Sequence, residues 1–541
     1  MKNLILDASV VLEMLSPESP DSATKRAAEE ARRRGCRLWV VTAQLPGVAG
    51  ALERAWRERR DGTAGVPAGS AARAALADFL KGVGVLSSFG FQVEDLPGDT
   101  DLDTLLVRRA ADSLGEDTWI LLAPGKSLGE DPRGVQPGAF FEGLAACRDQ
   151  GGMPFIDLKT QQVSLLPELE KRVMGVFRHG QFILGPEIKE LEQGLARFTG
   201  ARHALSCSSG TDALLMALMA YGVGPGDAIF TSTFTFIATA EVISLLGATP
   251  VFVDIDPRTY NLDPVKLEQA VRAVRENAPG LHVLPRLSGA ADSGLRPRGI
   301  IAVDLFGLPA DYQAINRLAA AEDLFVIEDA AQSFGALYHG RRSCALTDVG
   351  CTSFFPAKPL GGYGDGGAVF TDDDRLAEKM LSIRVHGQGA DKYDNARVGL
   401  NARLDTLQAA ILLPKLGVFP AELESRNRAA LRYTELLCRY RSVQTPEVPA
   451  GLTSAWAQYS IQVEGRERVQ AELKKKGIPT AVYYPKPLHL QKAFTGLGYR
   501  PGDFPLSEST SRRIFSLPMH PYLEEEAIRR VVAGIAEALE G

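Results

Sequence analysis

From about residue 187 the chain alternates between two hydrophobic patterns. Apolar residues first recur every three or four positions, as in 187–199, and then run together, as in "HALSC" (203–207). The first pattern predicts a helix with one buried face and the second a strand buried on both faces. The alternation continues through helix "TDALLMALMAYG" (211–222), strand "AIFTS" (228–232), helix "ATAEVISLLG" (238–247) and strand "TPVFVDI" (249–255). It resumes with strand "GIIAVDLFG" (299–307), helix "YQAINRLAAAE" (312–322) and strands "LFVIEDA" (324–330) and "CTSFFP" (351–356). Such alternation predicts a large doubly wound α/β domain over 154–410, whose ligands bind beyond the carboxyl ends of the strands. After about residue 410 the pattern changes to a helix rich in Leu, Arg and Glu, then "YSIQVEG", "RVQAELKKKGIP" and a final helix. That change predicts a small α+β subdomain over 411–541.

The first 147 residues form a separate pattern. Strand-like runs "NLILDASVV", "RLWVVTA" and "TWILLAP" alternate with Ala-, Arg- and Glu-rich helical stretches, which predicts a small α/β domain with a parallel sheet. A Gly- and Pro-rich break, "RDQGGMP", places a linker at 148–153. Residues 278–298 show no periodicity and read as an inserted surface loop away from the chemistry.

Composition narrows the class. The chain has 541 residues, 45% hydrophobic and 23% charged, with a formal charge of −6, so electrostatics gives no reason to expect nucleic acid or a membrane surface. Asp7 and Glu13 interrupt the apolar start, so it reads as a buried strand rather than a leader, and no apolar run reaches the ~18 residues of a membrane span. Six scattered cysteines, at 36, 147, 207, 344, 351 and 438, make no CxxC pair and read as buried reduced thiols of a cytoplasmic protein. No metal site is expected.

Three strand ends carry candidate chemistry. In "CSSGTDALLMAL", Ser208, Ser209, Gly210 and Thr211 lead straight into an apolar helix, which is either an N-cap or a cradle for a phosphate. The run "FVIEDAAQ" puts Asp329 at a buried strand end with Gln332 three residues on, and Asp329 is either a turn cap or a site acid. In "CTSFFPAKPLGGYGDGG", Lys358 follows Ser353 and a wall of Phe354, Phe355 and Pro356 that would desolvate it. A P-loop has its glycines before the lysine, so this reversed order does not fit one. Desolvation instead lowers a lysine's pKa and supplies the neutral amine of Schiff-base chemistry. Phosphate cradle, acid and nucleophilic lysine together are what pyridoxal 5'-phosphate requires.

At these residues the sequence resembles the DegT/DnrJ/EryC1/StrS sugar aminotransferases over residues 153–541. The stretches that carry it are "FIDLKTQQ", "SSGTDAL", "GDAIFTSTFTFIATAEVISLLGATPVFVDID", "IEDAAQSFGA", "SFFPAKPLGGYGDGGA", "VHGQ" and "GLNARLDTLQAA". The resemblance implies the fold type I architecture of pyridoxal-phosphate aminotransferases. It implies that Lys358 bears the cofactor and shuttles protons, Asp329 pairs with the pyridine nitrogen and Gln332 meets the phenolic oxygen. Gly210, Thr211 and Ser353 would hold the phosphate, and Phe236 would stack on the ring. Asn401 would reach the phosphate of a second subunit, giving a homodimer with shared active sites. A lysine, rather than the histidine of dehydrating relatives, implies transfer of the L-glutamate amine to a keto nucleotide-sugar.

Stretches such as "DIDPRTYNLDP" and "SLPMHPYL" look most like the bacterial members that aminate C3 of UDP-2-acetamido-2-deoxy-3-oxo-glucuronate for surface polysaccharide. dTDP-linked 3- or 4-keto-deoxyhexoses are the alternative substrates. Arg403 is either a partner for a uronate carboxylate or a structural ion-pair residue. Tyr484 and His489, in "YYPKPLHLQ", are candidates for the substrate loop.

The first domain resembles PIN-like nucleases in "LILDASVVLEML" and "DLDTLLVRRAADSLGEDTWILLAPG", with Asp7 and Asp103 as matching acids. The other expected acids are missing: Gly47, Val48 and Ala49 occupy the glutamate position, and Glu53 lies more than a turn further on. Two carboxylates hold Mg²⁺ poorly. A degenerate docking or regulatory module is therefore expected, with an active nuclease as the alternative.

Overall fold

The computed structural model describes residues 153–286, 294–391 and 393–540, together with five strands nearer the start of the chain. The chain divides into two compact units: Met1–Gly152 with Lys159–Ser164, and Met153–Leu158 with Leu165–Gly541.

In the first unit, β1 (Asn3–Leu6), β2 (Arg37–Val41), β3 (Gly84–Leu86), β4 (Thr118–Leu121) and β5 (Gly134–Val135) make one sheet in the order β3-β2-β1-β4-β5. Every neighbouring pair is parallel. Three of these strands coincide with the apolar runs; β3 and β5 are only three and two residues long and leave no pattern to read. Asp7, Glu53 and Asp103 lie outside the described residues, as do Cys36 and Cys147.

The second unit is built on a seven-stranded sheet: β6 (His203–Cys207), β7 (Asp227–Ser232), β8 (Thr249–Val253), β9 (Arg296–Val303), β10 (Phe325–Asp329), β13 (Val349–Ser353) and β14 (Gly367–Thr371). Between β10 and β13 a small hairpin, β11 (Leu337–Tyr338) and β12 (Arg341–Arg342), stands apart from it. The order is β6-β14-β13-β10-β9-β7-β8, parallel except where β14 runs against both neighbours. Alternate residues feed opposite faces, as a period of two requires. Ile229, Ile301 and Ile327 pack under α3 (Gly210–Ala220), α4 (Ala238–Leu245) and α7 (Asp374–Arg384). Their neighbours Phe230, Ile300 and Val326 pack under α5 (Pro264–Arg275) and α6 (Tyr312–Ala321). Each such fully buried side chain contributes roughly 1.5–3 kcal/mol.

Two helices, α1 (Leu158–His179) and α2 (Pro186–Thr199), precede the sheet, and the long α8 (Thr406–Leu437) follows it. The first half of α8 shares a core with Leu191, Phe334 and Phe354, through Ala409, Leu412 and Phe419. Its second half, through Ala430 and Tyr433, joins the core of the small subdomain. The change of core thus falls inside α8, between Leu423 and Ala429, rather than at residue 410. The small subdomain adds an antiparallel sheet of β15 (Val443–Gln444), β16 (Tyr459–Val463) and β17 (Ile514–Leu517). Helices α9 (Arg466–Lys475), α10 (Pro505–Arg513) and α11 (Glu525–Glu540) complete it.

Several sequence expectations need correction. The strand expected at 351–356 ends at Ser353, where Phe354 N–H turns to bond Gly366 O. β9 ends at Val303, and Leu305–Gly307 form a tight turn with Phe306 at φ 60°. The aperiodic segment 278–298 is not wholly a surface loop. His282 bonds the Phe252 carbonyl, Arg286 N–H donates to Leu497 O, and Arg296 already belongs to β9, held by Asp227 at 2.6 Å. Cys207, Cys344 and Cys351 are buried free thiols, whereas Cys438 is exposed because it follows the last turn of α8.

Candidate active site

The carboxyl ends of β6, β7, β10 and β13 gather the candidate residues. Across the sheet, Cys207, Gly367 and Ser353 stand in one row, and Asp329 pairs with Cys351 two residues before Ser353. The chain leaves β6 directly into α3, capped by Ser209, whose Oγ accepts the Asp212 N–H at 3.0 Å. A Cβ on Gly210 would stand 2.7 Å from Ser353 Cβ, and one on Gly367 would stand 2.4 Å from the Ser209 carbonyl oxygen. Only glycine allows this approach. It brings the first N–H groups of α3, which have no intrahelical acceptor, against the Ser353 hydroxyl. The donor set fits a phosphate group.

Asp329 is buried at the end of β10. Thr239, in the first turn of α4, donates to its Oδ2 at 2.8 Å, and the Ala331 N–H donates to Oδ1 at 3.3 Å. Burial pushes this carboxyl up, against those two bonds and the charge of Lys358. Desolvation correspondingly draws Lys358 below the ordinary lysine range, with Asp329 pulling it back. An acid and an amine that perturb each other at a strand edge fit a pyridinium partner and a Schiff-base lysine. The wall around the lysine differs from expectation. Phe354 is fully buried, but Phe355 is 52% exposed, because Ser353 Oγ accepts its N–H and turns the ring outward. Within the loop, the Lys358 N–H donates to the Phe355 carbonyl.

Gln332 is oriented from both ends. The Phe306 N–H donates to its Oε1 at 2.6 Å, so its amide nitrogen faces outward and donates to Tyr484 Oη at 3.1 Å. Phe236, 54% exposed, stands 6.4 Å ring to ring from Tyr484, one turn before Thr239. These residues therefore surround one space.

The remaining candidates are arranged differently. His489 is buried, with Nδ1 on Thr233 at 2.8 Å and Nε2 on Glu508 at 3.1 Å. Both nitrogens are engaged, and burial pulls its pKa down, so it ties the substrate-loop segment to the end of β7. Asn401 is exposed, and its Oδ1 accepts from Arg403 Nε at 3.0 Å. Arg403 is thus bound to an amide rather than to a carboxylate.

Behind the edge sit groups that the sequence did not announce. Asp304 accepts from Ser333 at 2.6 Å, Tyr312 at 2.7 Å and the Ala310 N–H, and its own N–H donates to the Asp329 carbonyl. Glu328 accepts the Cys344 and Leu346 N–H groups. Both carboxyls are wholly buried and in contact. Burial pushes Asp304 up to about 6, and burial with the Asp304 charge raises Glu328 well above its ordinary value. One proton between them spares the interior a second charge beside Asp329.

Known proteins resemble this chain over most of its second unit. The DegT/DnrJ/EryC1/StrS aminotransferase family profile matches residues 164–536. The UDP-2-acetamido-2-deoxy-3-oxo-D-glucuronate aminotransferase of Pseudomonas aeruginosa is 48% identical over 381 residues, covering 70% of this chain and 99% of its own. A crystal structure of a DegT/DnrJ/EryC1/StrS aminotransferase from Brucella abortus is 48% identical with a TM-score of 0.67, over 71% of this chain and 99% of its own. A Bacillus subtilis structure with bound cofactor PMP, 25% identical, has a TM-score of 0.63 over 81% of this chain and 97% of its own.

Proposed function

The chain belongs to the DegT/DnrJ/EryC1/StrS aminotransferase family, and from that premise we propose that it moves the amine of L-glutamate to C3 of UDP-2-acetamido-2-deoxy-3-oxo-glucuronate. The observation that carries the site assignment is the convergence of Lys358, Asp329 and the Gly210–Ser353 cradle on one sheet edge. The fold is that of a pyridoxal-phosphate aminotransferase.

When bound, pyridoxal phosphate supplies an electron sink for the carbon that bears the amine. The chain's own groups do the rest. Gly210, Thr211 and Ser353 would hold the phosphate, with the N-terminal dipole of α3 favouring its charge. Asp329, fixed by Thr239, would hold the proton on the pyridine nitrogen. Lys358 is lowered by burial, so at neutral pH more of its Nζ is free to take the proton from glutamate Cα. With one amide N–H donated to Tyr484 Oη, Gln332 would present the other to the phenolic oxygen. Phe236 would cover the ring face.

The same reading makes the protein a homodimer. Phe177, Phe182, Ile183, Leu184 and Val398 are all more than 40% exposed, an apolar surface that a second copy would cover. Asn401 and Arg403 then extend toward the partner's cofactor phosphate and the uronate carboxylate. The protein works in the cytoplasm, where nucleotide sugars are made; no described helix is long and apolar enough to cross a membrane. The first unit serves as a docking or regulatory module, since only Asp7 and Asp103 match the acids of a PIN-like nuclease.

The test is competition between acceptors. Purified enzyme charged with glutamate is offered the UDP-linked 3-keto uronate beside dTDP-linked 3- and 4-keto hexoses. Preference for the uronate by at least about tenfold in kcat/KM is expected, equivalent to ~1.4 kcal/mol. Preference for a dTDP hexose sinks the substrate assignment.

A further inference from the structure

A second lysine lies behind the loop that carries Lys358. Lys415, on α8, is 1% exposed and sits among the apolar positions that pack this helix on the sheet domain. Its Nζ donates to the Gly361 carbonyl at 2.7 Å and stands 4.0 Å from the centroid of the Tyr363 ring. Burial draws it down to about 8, against the attraction of Glu422 two turns along the helix. Taking an ammonium out of water costs several kcal/mol, and one carbonyl with one ring face offsets only part of that. Packing alone gives no reason for a charge at this position.

The loop explains why a cation is kept there. Between Phe354 and Gly366 the backbone doubles back so tightly that a Cβ on Gly361 would stand 2.4 Å from the Pro356 carbonyl oxygen and 2.8 Å from that of Phe355. Gly362 N–H bonds Phe354 O, and Lys358 N–H bonds Phe355 O, so the turn closes on itself. The Gly361 carbonyl points the other way, into α8, and Lys415 is its donor. Two helical turns before Lys415, Gln408 accepts the Tyr363 N–H at 2.8 Å. Helix α8 thus grips the loop at Gly361 and on both the backbone and ring of Tyr363.

We infer that Lys415 is a positioning residue for Lys358: its buried ammonium clamps Gly361 and Tyr363 and so fixes the height and direction of the loop from which Lys358 works. The inference rests on Lys358 being the lysine that bears the cofactor. It assigns Lys415 no contact with substrate or cofactor.

The test is Lys415→Met in the full chain. Methionine matches the length and suits an apolar setting, so the variant is expected to fold, with a melting temperature lower by a few degrees at most because the Gly361 carbonyl loses its donor. In the cofactor-free protein, amides of Phe354–Gly366 should exchange with deuterium at least about tenfold faster, with other segments unaffected. In the cofactor-loaded protein, kcat should fall about 10–100-fold, as a displaced acid–base group predicts, with KM for glutamate within about twofold. Unchanged loop exchange overturns the inference, and so does unchanged kcat. A lower melting temperature with faster exchange throughout overturns it too, since that marks a general structural role. Should the wild-type protein take up no pyridoxal phosphate, the functional reading fails by itself, and the exchange comparison still decides whether Lys415 clamps the loop.

Discussion

The two ends of the large sheet handle charge in opposite ways. At the carboxyl edge, Asp304, Glu328, Asp329 and Lys415 are buried, and each is bonded to a specific donor or acceptor. At the other edge, charges such as Arg275–Glu322 and Arg296–Asp227 pair with one or both partners open to solvent. That far edge also holds a cleft of about 920 Å³ lined by Tyr221, Arg298, Phe325, Asp348 and Lys379 among others. Tyr221 stacks on Phe325 at 4.0 Å there, as packing rather than as a platform for chemistry. The candidate site is set apart instead by its cluster of buried carboxyls, each held by a named partner.

The contrast can be broken or sharpened by substitution. Lys358→Ala should lower transfer by roughly 10³–10⁴-fold, the largest effect expected, in steady-state assays with glutamate. Asp329→Asn should cost about 10²-fold in kcat, since an amide cannot hold the ring proton as a carboxylate does; single-turnover kinetics would show it. Asp304 provides a pH test. Its folded pKa is raised to about 6, so the folded chain binds more protons than the unfolded chain between pH about 4 and about 6. Stability from this group is therefore present at the acid end and lost as pH rises through that window. Urea unfolding of wild type against Asp304→Asn should show wild type losing up to ~3 kcal/mol of relative stability from pH 4 to pH 7. Thr239→Val removes the hydroxyl on Asp329 and should lower kcat about tenfold and cost roughly 1–3 kcal/mol of stability, since the buried carboxyl loses a donor. Lys379→Ala, at the far cleft, should leave turnover within about twofold, as surface substitutions usually do. A larger loss there would undo the contrast.

Much of the candidate site was legible because its residues sit at strand ends that hydrophobic runs announce. Lys358, Asp329, Ser353 and Gly210 each follow such a run, and the structure brings them to one edge. What was hidden depends on pairings distant in sequence. Thr239 meets Asp329 across 90 residues and Lys415 meets Gly361 across 54, and nothing local to either residue signals its partner. Phe355 was read as part of an apolar wall because it follows Phe354, yet the turn at Ser353 sends the two rings to opposite surroundings. β14 escaped for a different reason: five residues between glycines and an acidic cluster look like a loop until β6 and β13 flank them. The small-domain division was placed at residue 410, close to the start of α8, because a composition change is visible there, whereas the change of core occurs further along the same unbroken helix.

The central claim is that Lys358 carries the cofactor, and one measurement addresses it directly. Full-length protein loaded with pyridoxal phosphate is reduced with borohydride, digested and mapped by mass spectrometry. The expected result is a phosphopyridoxyl group on the peptide containing Lys358, absent when glutamate is added before reduction. Attachment at Lys415 or another lysine, or a Lys358→Ala protein that is still modified to the same extent, would contradict the account.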